Sequence, residues 1–97
     1  MKFEFINKKL KVLYQTGVGG YSEAIIKAFF KKMERINAAK NEADLRALKS
    51  NHFEKMKGSK GDYSIRLNKQ YRLEFELLKG ISCKIILIKK ISKHYQK

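Results

Sequence analysis

Near the middle of the chain, apolar residues fall at every second position in two neighbouring runs. Tyr63, Ile65 and Leu67 alternate with Ser64, Arg66 and Asn68; Tyr71, Leu73, Phe75 and Leu77 alternate with Arg72, Glu74 and Glu76. A period of two marks strands with one buried face. The polar break Asn68-Lys69-Gln70 between the runs makes them an antiparallel hairpin. Both apolar sets carry odd numbers, so paired residues share parity and the loop holds an odd number of residues, three in the simplest register. That register sets Arg66 opposite Arg72 on the face away from the core, and like charges opposed across a strand pair are destabilising. Either an anion sits between the two arginines, or Glu74 and Glu76 neutralise them on a solvated face. Spacing does not choose between these, because exposed ion pairs contribute so little.

The flanks supply the other elements. Phe3, Phe5 and Ile6 suggest a short first strand. Asn7 can cap a helix through Gln15 with Leu10, Leu13 and Tyr14 on one side, and Gly17 suits the left-handed residue that ends it. The glycines at 17, 19 and 20 lack the Lys-Ser/Thr of a phosphate loop and read as a joint. Ser22 caps a longer helix to about Asn37, with Ile25, Ile26, Phe29, Met33 and Ile36 as its apolar stripe. Glu42 to Leu48 is a weak helical stretch that Leu45 and Leu48 could anchor. Phe53 to Met56 reads as a short strand entering the turn Lys57-Gly58-Ser59-Lys60-Gly61. Lys79-Gly80 marks another turn. Ile81 to Ile91, with Ile85 to Ile88 unbroken, suits a central strand covered at least partly on both faces. Strand, two helices, then three or four strands is an α+β order, with helices on one face of a mainly antiparallel sheet of four to five strands.

Composition narrows the partners. The chain has 97 residues, which suits one domain spanning 1–97 with a single core. It contains 23 Lys and Arg against 9 Asp and Glu, a net charge of +14, which points to an anionic partner, nucleic acid first and an anionic membrane surface second. No apolar run approaches the roughly 20 residues of a spanning helix. Met1-Lys2 leads straight into Phe3-Glu4-Phe5 with no secretory pattern. The single cysteine, Cys83, lies in an apolar stretch and excludes a disulfide framework or thiolate cluster within the chain; a buried, inert thiol in a reducing cytoplasm fits. His52 and His94 have no partner at metal-ligand spacing, so neither a metal nor another cofactor is expected. Paired carboxylates for acid–base work are not evident.

What remains is a cationic set, Lys57, Lys60, Arg66 and Arg72, with His94 and Tyr95. The arginine fork matches phosphate, histidine moves protons near neutral pH, and tyrosine can stack on a base or donate a proton. Together they suit cleavage of RNA by its own 2′-hydroxyl, which needs a base, an acid and cations against the developing charge. The plainer reading is an RNA- or DNA-binding surface with solvated lysines and an exposed tail.

The residues Met56-Lys57-Gly58-Ser59-Lys60-Gly61-Asp62-Tyr63-Ser64-Ile65-Arg66-Leu67-Asn68, followed by Tyr71-Arg72-Leu73-Glu74-Phe75, resemble the central signature of HigB-type toxins of the RelE/ParE superfamily, from bacterial type II toxin–antitoxin systems. The likeness extends to Leu13-Tyr14-Gln15-Thr16-Gly17, the long helix and Asn37-Ala38-Ala39. It implies a RelE-like fold and a metal-independent endoribonuclease that enters the ribosomal A site and cuts mRNA during translation. It also implies a HigA-like antitoxin, usually with a helix-turn-helix domain, through which operator DNA would be reached indirectly; it implies no membrane partner. Carried over by position, Lys57 and Arg72 match the family's catalytic lysine and phosphate-contacting arginine, and His94 and Tyr95 match the C-terminal histidine and tyrosine. The best-known members end Asp-Tyr-His where this chain has Lys93-His94-Tyr95. On this resemblance His94 is the general base or acid, with Tyr95 either the alternative proton-transfer group or a stacking residue. Lys57 and Arg72 stabilise charge, and Lys60, Arg66 and Lys93 hold flanking phosphates. The competing readings are a ParE-like gyrase inhibitor and a non-catalytic basic RNA-binding module.

Overall fold

The computed structural model describes residues 1–58, 61–79 and 84–93. The readings made for Lys60, Cys83, His94 and Tyr95 lie outside the described residues. In chain order the elements are β1 (Lys2–Phe5), α1 (Lys8–Thr16), α2 (Glu23–Ala38), α3 (Glu42–Ala47), a 3-10 turn (Lys49–Asn51), β2 (Glu54–Lys55), β3 (Asp62–Arg66), β4 (Tyr71–Lys79) and β5 (Lys84–Lys93). Among the described residues the strands form a five-stranded sheet in the order β1-β5-β4-β3-β2. All neighbours are antiparallel except β1 and β5, which run parallel. The architecture is α+β, as the element order predicts, with the weak stretch after α2 folding as a third helix.

The helix ends follow local chemistry. The Asn7 side chain accepts from the Lys9 and Leu10 amides at 2.9 and 3.2 Å, satisfying donors the first turn cannot. Gly17 closes α1 with φ 74°, its amide donating to the Leu13 carbonyl at 2.8 Å. Ser22 accepts from the Ile25 amide at 3.3 Å to start α2, and Asn41 accepts from Asp44 at 3.1 Å to start α3. The stripe Ile25, Phe29, Met33 and Ile36 is buried, with Leu10, Leu13 and Leu45 beside it. These side chains meet Ile65, Leu73, Phe75, Ile86 and Ile88 from one face of the sheet in a single core. Each fully buried Leu, Ile or Phe contributes about 1.5–3 kcal/mol.

The hairpin has the register that parity predicts. Tyr63 faces Phe75, Ile65 faces Leu73, and Arg66 faces Arg72. The loop between them is tied by Asn68, whose side chain accepts from the Gln70 and Tyr71 amides at 2.8 Å each. The strand read over Phe53 to Met56 spans Glu54 and Lys55, and the Met56 amide still donates to the Asp62 carbonyl at 2.9 Å; Phe53 packs its ring on Tyr63, 5.2 Å between centroids.

The pairing of β4 with β5 is broken at one place. Phe75 faces Ile88 but Glu74 faces Lys90, so Lys89 is an extra residue, a β-bulge. Before it the even residues Ile86 and Ile88 are buried in the core; after it the odd Ile91 lies opposite Leu73. Lys90 and Ser92 are thereby brought opposite Glu74 and Arg72 on the other face.

Candidate functional site

The face of the sheet turned away from the helices carries the even-numbered residues of β2, β3 and β4. Glu54 and Glu74 both stand opposite Ser64, and Arg72 stands between Arg66 and Ser92. Where these strands meet the turn after β2 there is a concave pocket of about 390 Å³. Its lining includes Glu54 and Lys57 from β2 and the turn after it, Ser64, Arg72 and Glu74 from β3 and β4, and Ser92 and Lys93 from β5. Three of the residues singled out from the sequence, Lys57, Arg72 and Lys93, are thus brought together. Two hollows of about 600 Å³ lie elsewhere, one beside β1 and one between α1 and the residues before α2, and neither gathers a comparable mixed set of cations and carboxylates.

Arg72 is 8% exposed. Its Nε donates to the Ser64 hydroxyl at 2.8 Å, and one Nη donates to the Ser64 carbonyl at 3.3 Å and to the His52 carbonyl. The Glu54 carboxylate stands 3.8 Å from the same nitrogen. Burial draws the guanidinium pKa below its ordinary value; the Glu54 charge opposes this and the Arg66 charge adds to it. An arginine so placed still keeps its charge.

The expectation that Glu74 and Glu76 neutralise the opposed arginines does not hold among the described residues. No ion pair joins Glu74 or Glu76 to either guanidinium; the carboxylate near Arg72 is Glu54. Arg66 is not in the pocket wall. Its Nε donates to the Asn68 carbonyl at 3.1 Å and its Nη1 lies 3.2 Å from His52 Nε2. One residue, His52, touches both arginines: its carbonyl accepts from Arg72 and its imidazole faces Arg66. Arginine can only donate, so a hydrogen bond in this contact has Nε2 as its acceptor.

The structure adds residues that the sequence pattern left aside. Glu54 and Glu74 put two carboxylates in the lining of the pocket. Glu74 shares parity with Arg72 and could have been placed there from the alternation. Glu54 sits on a strand of two residues, too short to show a period. Among the described residues no cluster of three His, Cys, Asp or Glu side chains is arranged to hold a metal ion. Chemically the pocket offers the fixed positive charge of Lys57, Arg72 and Lys93, the hydroxyls of Ser64 and Ser92, and the exposed carboxylate of Glu54. It suits a phosphodiester held between cations with a proton acceptor nearby.

Known proteins place the chain firmly. A family described as "RelE-like toxin of type II toxin-antitoxin system HigB" matches residues 3–88. Toxin HigB-1 of Vibrio cholerae serotype O1 is 40% identical over 85 residues, covering 84% of this chain and 90% of that toxin. A solved YoeB/ParE toxin from Agrobacterium tumefaciens superposes with a TM-score of 0.55 over 98% of this chain and 100% of its own, at 15% identity, a likeness of fold alone. The chain belongs to the HigB family, the RelE-like toxins of type II toxin–antitoxin systems, and membership implies a cognate antitoxin.

Proposed function

We propose that this toxin is a ribosome-dependent endoribonuclease that cuts mRNA in the A site through the RNA's own 2′-hydroxyl. The observation that supports this best is the pocket itself, in which Lys57, Arg72 and Lys93 converge beside carboxylates on an open sheet face. A gyrase-inhibiting scaffold has no need of such a set. Endoribonuclease activity is also what the family shares.

In the reaction, a base takes the 2′-hydroxyl proton and the freed oxygen attacks the adjacent phosphorus. The bond to the 5′-oxygen breaks, leaving a 2′,3′-cyclic phosphate, and an acid returns a proton to the departing 5′-oxygen. Arg72, held by Ser64 and His52, sets its positive charge against the phosphate, and Lys57 adds charge from the turn; both are stronger against the phosphorane than against the ground state. Lys93, Arg66 and Lys60 hold flanking phosphates. Proton transfer is assigned to His94 or Tyr95, which follow Lys93 directly in the chain. The cytoplasm is the compartment where this substrate occurs, and a HigA-like antitoxin is the neutralising partner.

The test is growth after induction together with RNA cleavage by purified toxin. Wild type should arrest growth and cut mRNA in a translating extract, while Arg72→Ala and His94→Ala should do neither. Wild-type toxin that cuts no mRNA, or variants that arrest growth as fully as wild type, would overturn the reading.

A further inference from the structure

Arg72 owes its orientation to a segment outside the sheet. Ser64, diagonal to it on β3, accepts from Nε and one Nη through its hydroxyl and carbonyl, but that same Nη is also held by the main-chain carbonyl of His52. That carbonyl points into the site because His52 adopts φ 42°, ψ 55°, a left-handed conformation that residues other than glycine seldom hold without support.

The support is buried and polar. Asn51 is fully buried; its Nδ2 donates to the Leu45 carbonyl at 3.0 Å and its Oδ1 accepts from Lys32 Nζ at 2.8 Å. Lys32, 5% exposed on α2, also donates to the Ser50 carbonyl at 3.2 Å. Among the described residues Lys32 forms no ion pair. A buried ammonium without a counter-charge is expensive, and an apolar side chain would fill the same space without that expense. What the ammonium does here is tie α2 to residues 50 and 51, immediately before the turned carbonyl of His52.

We propose that Lys32 and Asn51 are positioning residues for Arg72: by clamping residues 49–52 against α2 they fix the His52 carbonyl, and through it the plane of the guanidinium that faces the pocket. The same clamp sets the His52 imidazole against Arg66, so one turn orients both opposed arginines. The functional side of this proposal rests on the reading of Arg72 as the phosphate-binding cation; the structural side does not.

Two readouts separate these. In the nuclear magnetic resonance spectrum of the intact toxin, the Nε–H of Arg72 should exchange slowly with water. Lys32→Met should speed that exchange by about tenfold or more while the amides of Leu73 and Phe75 keep their shifts, since the clamp and the strand are distinct units of local opening. In cleavage assays Lys32→Met should lower the rate about tenfold with binding changed less than about threefold, and should add under about twofold to the loss in Arg72→Lys, the mark of two residues acting through one group. Unchanged Arg72 exchange, or losses that multiply, would overturn the proposal. Should Lys32→Met not fold, Lys32→Gln, which keeps an N–H donor on a shorter stem, takes the same measurements. A wild-type toxin that cleaves nothing removes the enzymatic reading alone, and the exchange measurement still decides whether the clamp orients Arg72.

Discussion

A guanidinium taken out of water needs acceptors on every side, and Arg72 finds them in Ser64, in the His52 carbonyl and, more distantly, in Glu54. Removing it strands those acceptors. Arg72→Ala should therefore destabilise the toxin by about 1–3 kcal/mol in urea unfolding as well as abolish cleavage. Arg72→Lys keeps the charge without the planar fork, and should stay folded while cleavage falls by about tenfold or more. Lys32 gives a test of pH. Burial first, then the neighbouring charges of Arg35 and Lys31, holds its pKa below the ordinary lysine value of 10.5. Between the folded value and 10.5 the unfolded chain binds the extra proton, so this group makes stability rise with pH in that window; below it the contribution is flat. Thermal midpoints measured up to pH 10.5 should show this rise in wild type relative to Lys32→Met, and parallel curves for the two would contradict it. At this scale parity in the sequence was enough to oppose Arg66 and Arg72. Their real partner was not legible, because His52 lies twenty residues from Arg72 and contributes a carbonyl, which no side-chain pattern reports.

Elements were readable where a side chain marks their ends. Asn7, Ser22 and Gly17 announced α1 and α2 because capping uses atoms that only certain residues carry. A contrast between two glycines checks this. Gly17 has φ 74° with open space around it, so Gly17→Ala should destabilise by about 1–2 kcal/mol through backbone conformation alone. Gly20 also has open space but no left-handed backbone, so Gly20→Ala should be neutral or stabilising by up to about 1 kcal/mol. Equal effects in thermal unfolding would contradict the capping account. Other elements were obscured for physical reasons. The unbroken run Ile85 to Ile88 concealed the bulge at Lys89, since an apolar residue at every position carries no phase. Yet the bulge is what puts Ser92 on the pocket side and Ile91 against the core. β2 was too short to have a phase at all, which is why Glu54 went unplaced.

For the molecule as a whole, the net charge of +14 indicated an anionic partner but not where it would bind. The fold turns the helices' apolar stripes to one face of the sheet and leaves the pocket on the other, where the proposed function puts that partner. No helix among the described residues is long and apolar enough to cross a membrane. The central signature around Lys57 and Arg72 carried the family resemblance, and the match over residues 3–88 agrees with it. The central claim is that this pocket cuts mRNA as it is being translated. Mapping of mRNA 5′ ends after brief induction tests that most directly. New ends confined to translated frames, and absent with Arg72→Ala, are the predicted result; no new ends, or ends spread equally through untranslated RNA, would contradict it.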